Sequence, residues 1–148
     1  MNTGDQRVSN TGAVFTRDTS NPDLGEAYSD PSGIIWGSIV TVSPNNTLNH
    51  YDALKYCRAR RARLPTKEEF EQLAKYLGEG TAQRYSPFLA DGKTDLLPGL
   101  SNHSFWSSSI DPKGSKYAYY FSNLGYVAPY PYDRGSKWNF AVRCVVGM

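Results

Sequence analysis

The clearest pattern along the chain is the spacing of Phe70, Leu73, Ala74 and Leu77, apolar positions at i, i+3, i+4 and i+7 separated by polar residues. That period places one apolar stripe on a helix. Pro65 precedes it, Thr66-x-x-Glu69 forms a capping box, and Gly78 supplies the stop. A second helix is predicted just upstream, where Asn49 can cap, Asp52 follows three residues later, and Tyr51, Leu54 and Cys57 share one face. This face turns the cysteine inward.

Elsewhere the pattern changes to short apolar runs punctuated by turn residues. Asp30-Pro31-Ser32-Gly33 reads as a turn, followed by Ile34-Ile35-Trp36-Gly37 and the strand-like Ser38 to Val42, which Ser43-Pro44-Asn45-Asn46 ends. Further strands are predicted at Phe105 to Ser109, Lys116 to Ser122, Tyr126 to Ala128 and Asn139 to Val146. Between the helices and these strands lies a Gly-, Pro- and Asp-rich stretch from Gly78 to Asn102, long enough that it must be packed and specific. Strand, two helices, long loop and meander make an α+β order. Residues 1–29 are polar, offering only Val8, Ala13, Val14, Phe15 and Leu24 for burial. They are expected to form an N-terminal arm, mobile alone and ordered against a neighbouring copy in a trimer, with the folded domain spanning 30–148.

The length of 148 residues suits one domain, and a formal net charge of +2 is too near balance to steer the whole molecule toward nucleic acid. No apolar run is long enough to span a bilayer, and Met1-Asn2-Thr3-Gly4-Asp5 lacks a basic-then-apolar leader. An exported chain that starts in this way is expected to be a fragment of a longer protein. Only two cysteines occur, Cys57 and Cys144. If bridged, they would restrict the unfolded chain by about 4.6 kcal/mol in the loop-entropy model and point to an oxidising compartment. The alternative is a pair of unpaired buried thiols.

Several residue runs carry a family resemblance. Asp52 to Cys57, Ala62 to Phe70, Phe105 to Ser109 and Ala141 to Val145 together resemble the formylglycine-generating-enzyme-like branch of the C-type lectin fold, over about residues 30–147. The resemblance implies a C-type lectin-like fold, with two helices packed on a twisted antiparallel sheet with long loops. It also implies a disulfide from helix to last strand, Cys57 to Cys144. More narrowly, Asp30 to Gly37 and Asp91 to Ser101 are similar to adhesive fibre-tip modules of predatory bacteria, the C-terminal domains of trimeric surface fibres. That likeness implies a homotrimer on the bacterial cell surface.

Departures from the family pattern bear on chemistry. Oxidase members hold copper with a second cysteine pair, and none remains here once Cys57 and Cys144 are bridged. Calcium-dependent members carry Glu-Pro-Asn or Gln-Pro-Asp and Trp-Asn-Asp, whereas Trp138-Asn139 precedes Phe140 here. The chain is therefore expected to be no enzyme and to need neither cofactor nor metal. Asp91 and Asp95 bracket Gly-Lys-Thr, which suits a side-chain-held turn better than a calcium site. His50 and His103 lie at no metal-ligand spacing and suit surface or capping positions.

Two stretches remain for binding. Lys55, Arg58, Arg60, Arg61 and Arg63 form a basic run that complements the end of the first helix and the acids after it, or alternatively a patch for anionic glycans. Residues 115–140 hold six of the eleven tyrosines, interleaved with Gly, Asn and Pro, a mixture that recognition loops favour. Half of those six are expected in the core. The predicted exposed, ligand-binding group is Tyr126, Tyr130, Tyr132, Asp133, Arg134 and Trp138, facing a glycan or another cell-envelope ligand. A structural assembly module, with the tyrosine loop as protomer interface, is the alternative.

Overall fold

The computed structural model describes residues 6–42, 45–82, 84–112, 117–131 and 139–147. Among the described residues the strands are β1 (Gln6–Val8), β2 (Val14–Asp18), β3 (Ala27–Ser29), β4 (Ile35–Ile39), β5 (Phe105–Ile110), β6 (Tyr117–Phe121), β7 (Val127–Pro131) and β8 (Arg143–Val146), with helices α1 (His50–Ala59) and α2 (Lys67–Tyr76). They build a five-stranded sheet in the order β1-β2-β3-β4-β8 and a three-stranded sheet β5-β6-β7, paired antiparallel throughout.

This corrects the expected α+β architecture. Among the described residues 34% are strand against 18% helix, and the strands divide between two sheets, so the architecture is mostly antiparallel sheet and not the expected C-type lectin-like arrangement of two helices packed on one twisted sheet. The physical reason lies partly at the N-terminus, where residues read as an arm supply three strands. Phe15, Leu24, Ala27 and Tyr28 are all buried, and Tyr28 pairs in register with Trp36 of β4. Arg7 donates from Nε to the Tyr28 hydroxyl at 3.0 Å and from Nη1 to the Asp95 carbonyl at 3.0 Å, so β1 is tied to the body of the same chain.

Both helices form where their caps predict. Asn49 accepts from the Asp52 amide at 2.8 Å at the start of α1. At α2 the Thr66 hydroxyl accepts from the Glu69 amide at 3.1 Å, while the Glu69 carboxylate accepts from the Thr66 amide at 2.9 Å. Gly78 then takes φ +106°, and a Cβ there would meet the Arg84 carbonyl oxygen at 2.5 Å, so glycine is required. Phe70, Leu73 and Leu77 are fully buried, the stripe that the spacing foretold.

Two apolar cores result. One joins Phe15, Tyr28 and Trp36 of the larger sheet to Phe70 and Leu73 of α2 and to Phe105 and Phe121 of the smaller sheet. The other surrounds the Cys57–Cys144 disulfide with Leu24, Ala53, Leu64, Trp106, Ala118 and Val142. The bridge closes with Cα atoms 5.5 Å apart and links α1 to β8. The long loop from residue 78 to 104 is packed as its composition requires, for Leu96, Leu97 and Leu100 are fully buried. Arg143, also fully buried, donates to the Gly37 carbonyl at 2.7 Å and to the Pro98 carbonyl, and its guanidinium lies over the Phe105 ring. It clamps the loop to β4. Burial pushes that guanidinium down to about 9, which still leaves it charged at neutral pH.

Candidate functional site

Strand alternation sorts the tyrosines of β6 and β7 onto two faces. Phe121 enters the core beside α2, stacked on Phe70 at 4.9 Å, and Tyr119 on the same side lies beneath the Lys67 ammonium at 5.3 Å. On the opposite face Ala118 is paired with Tyr130, and Tyr120 with Ala128. Tyr120 stacks on Phe140 at 4.7 Å with 18° between planes, and Tyr130 meets Phe140 edge-on at 5.3 Å and Tyr120 at 5.7 Å. Below them Trp106 packs against Phe140 at 4.7 Å and donates its indole N–H to the Leu48 carbonyl at 2.9 Å. The result is a layered aromatic surface with a buried floor and a partly exposed top.

Tyr126 stands at the rim of this surface, 48% exposed, its ring 6.2 Å from that of Tyr120. The two hydroxyls lie 3.5 Å apart, with Tyr120 as donor. Burial, and then the bond to Tyr126, push the Tyr120 phenol up to about 12. The Tyr126 phenol moves the other way, down from its ordinary value, because it accepts from Tyr120 and is bonded to Ser122. Tyr120, near about 12, is neutral at physiological pH and presents its O–H at an apolar edge.

The tight turn from Ser122 to Tyr126 positions that edge. The Ser122 amide donates to the Tyr126 carbonyl at 2.8 Å and the Gly125 amide to the Ser122 carbonyl at 2.9 Å. Gly125 has φ +94°, and a Cβ there would meet the Tyr85 ring at 2.6 Å. β7 continues through Pro129 and Pro131, two residues beyond the predicted end at Ala128 and a proline further. Prolines are tolerated because β7 is the outer strand of its sheet.

Of the six predicted ligand-binding residues, the structure brings Tyr126 and Tyr130 together through Tyr120. Tyr132, Asp133, Arg134 and Trp138 lie outside the described residues. Of the six tyrosines from Tyr117 to Tyr132, the five described are at least partly exposed, so the expectation that half would be core fails for them. The buried positions of β6 go instead to Ala118 and Phe121. Tyr120 and Phe140 were not among the predicted site residues. The signal for Tyr120 was the i, i+2 relation to Ala118 on one face, whereas Phe140 is placed by a non-local bridge to Leu48 that no local pattern signals.

Other candidate groups have structural partners. In the basic run Arg63 makes a two-pronged bond to Glu69 at 2.8 and 2.7 Å, Arg60 lies over the Tyr56 ring at 3.5 Å, and Lys55 over Tyr51 at 5.3 Å. Arg58 and Arg61 are exposed. Asp91 is spent on its own turn, accepting from the Thr94 hydroxyl and from the Lys93 and Thr94 amides, the latter two at 2.9 and 2.8 Å, and these bonds, the hydroxyl's first, hold its carboxyl down to about 2. Asp95 accepts from the Gly99 and Ser101 amides. His50, expected at the surface or in a cap, is buried, bonded through Nε2 to the Ser107 carbonyl at 2.8 Å. Burial lowers its pKa. Among the described residues no three His, Cys, Asp or Glu side chains converge as a metal site.

Comparison of the chain with models of known protein families, with curated proteins and with solved structures gives no match.

Proposed function

We propose that this chain is a non-enzymatic recognition domain of a bacterial cell surface, holding a glycan or another cell-envelope ligand against the aromatic face of β6 and β7. The supporting observation is the exposed Tyr126 ring beside the Tyr120–Tyr130–Phe140 stack. Sugars present an apolar C–H face and a rim of hydroxyls, and a ring with a neutral O–H complements both. The Cys57–Cys144 bridge fits an oxidising, extracellular location. The likeness of residues 30–37 and 91–101 to fibre-tip modules supports display at the tip of a trimeric fibre. One site binds a simple sugar with a dissociation constant on the order of millimolar, about −4 kcal/mol, and three copies add avidity.

A glycan array, supplemented with purified envelope fractions, tests this. Binding that survives chelator and falls with Tyr126→Ala or Tyr130→Ala is expected. Unchanged binding by both variants would move the site elsewhere, with the exposed Arg58 and Arg61 as the next candidates.

One observation favours assembly as a second function. Val8 and Val14, paired across β1 and β2, are 46% and 41% exposed on the outer face of the larger sheet. An exposed β-branched pair of this kind suits a contact between copies. Light scattering of the intact chain and of a Val8→Thr, Val14→Thr variant, which alters only these two exposed side chains, separates a trimer from a monomer.

A further inference from the structure

A second concave feature lies beside the aromatic face, where the end of α2 meets the β6–β7 turn. It is a groove of about 400 Å³ lined by Glu71, Ala74, Lys75, Glu79, Tyr126 and Val127. Ala74 and Val127, buried and half-buried, make an apolar floor. Glu71, Lys75 and Glu79 are exposed on its helical side, and Tyr126 forms the opposite wall. Glu79 is held there by its amide, which donates to the Ala74 carbonyl at 2.9 Å as the helix ends. Tyr126 thus belongs both to the aromatic face and to the groove.

We infer that this groove is the subsite that orients the ligand, and that it takes about two pyranose rings of a neutral or amino-bearing glycan in preference to an anionic one. This rests on the proposed recognition of sugars. Three features carry it. The volume lies within the range of small-ligand sites and above that of a single ring. An aromatic wall over an apolar floor suits the two faces of a pyranose, with carboxylates and one ammonium at the rim to accept from and donate to its hydroxyls. The rim is charged asymmetrically, two carboxylates against one ammonium, which favours an amine and disfavours a sulfate or uronate.

Nitrogen-15 NMR of the intact, oxidised chain, titrated with cellobiose, the glucosamine disaccharide and a sulfated disaccharide, tests the inference. Shifts are expected in the amides of residues 74–80 and 125–127 with the first two sugars and at least about tenfold weaker binding of the sulfated one. Tyr126→Ala should weaken both about tenfold, and Glu71→Gln with Glu79→Gln should remove the advantage of the amino sugar while cellobiose still binds. Both glutamates are exposed, so these variants keep the fold, as their unperturbed distant amides will show. Shifts confined to Ala128, Tyr130 and Phe140 would overturn the groove while leaving sugar recognition standing. No shift with any sugar would overturn both, and equal binding of the sulfated sugar would overturn the charge preference.

Discussion

Asp30 organises more of the fold than its position at a turn indicates. One carboxylate oxygen accepts from the Ser32 amide, the Ser32 hydroxyl and the Ile34 amide at 2.9, 2.6 and 3.1 Å, and the other accepts from the Trp36 indole at 2.9 Å. Asp30→Ala leaves the buried Trp36 N–H unpaired and is expected to cost about 3 kcal/mol in urea unfolding. Asp30→Asn should do little better, because its amide would set a donor against the indole N–H. Tyr85 presents the reverse case. Its hydroxyl is buried with no hydrogen-bond partner among the described residues, so Tyr85→Phe should leave stability unchanged or raise it by up to about 1 kcal/mol. Burial, then the charges of Asp95 and Glu79, push its phenol well above 10, as burial does for Tyr120. The fold holds both in the neutral form while the unfolded chain ionises near pH 10. Stability is therefore at its full value below about pH 10 and falls as pH rises through the raised values, Tyr120 near about 12, because the unfolded chain sheds protons that the fold still holds. Unfolding midpoints measured from pH 8 to 12 should fall above pH 10, and less steeply in Tyr85→Phe.

Local chemistry was most legible in the helices. The Asn49 cap, the Thr66–Glu69 box and the Gly78 stop depend on neighbours within four residues, and each appears where the sequence places it. Thr66→Ala should lower stability by about 1 kcal/mol, measured by thermal or urea unfolding. Glu69→Gln should cost more, because it also loses the two-pronged bond from Arg63. Strands were legible where apolar runs were dense, as at Phe105–Ile110 and Tyr117–Phe121. They were missed where pairing is non-local. β1, β2 and β3 are three to five residues long, and what holds them is Phe15 and Tyr28 reaching a core supplied by α2 and β4, and Ala27 reaching the one around the disulfide. No window of the first 29 residues contains that information. The candidate site divides in the same way. Composition drew attention to the tyrosines, but only the β6–β7 register shows that Tyr120 and Tyr130 share a face and Tyr119 does not.

Among the described residues two sheets share the core, the disulfide fastens α1 to β8, and the buried Arg143 guanidinium ties β8 to β4 and to the loop at Pro98. Cys57 and Cys144 lie 87 residues apart in sequence, so reduction is expected to remove about 4 kcal/mol, near the loop-entropy value. Unfolding with and without reductant measures it, and mass spectrometry of the unreduced chain should find it two hydrogens lighter than the reduced one. At this level the sequence was least legible. The proportion of strand and the division into two sheets depend on how the N-terminal residues pair with β4, which no local pattern encodes. The aromatic face of β6 and β7, by contrast, is a surface whose use can be measured. Beads coated with the oxidised chain present many weak sites at once and so report binding that a single site would hide. They should adhere to intact bacterial cells or to surfaces bearing their envelope glycans, be displaced by soluble glycan, and lose adhesion when coated with the Tyr126→Ala, Tyr130→Ala double variant. Equal adhesion by that folded double variant would contradict recognition through the β6–β7 aromatic face.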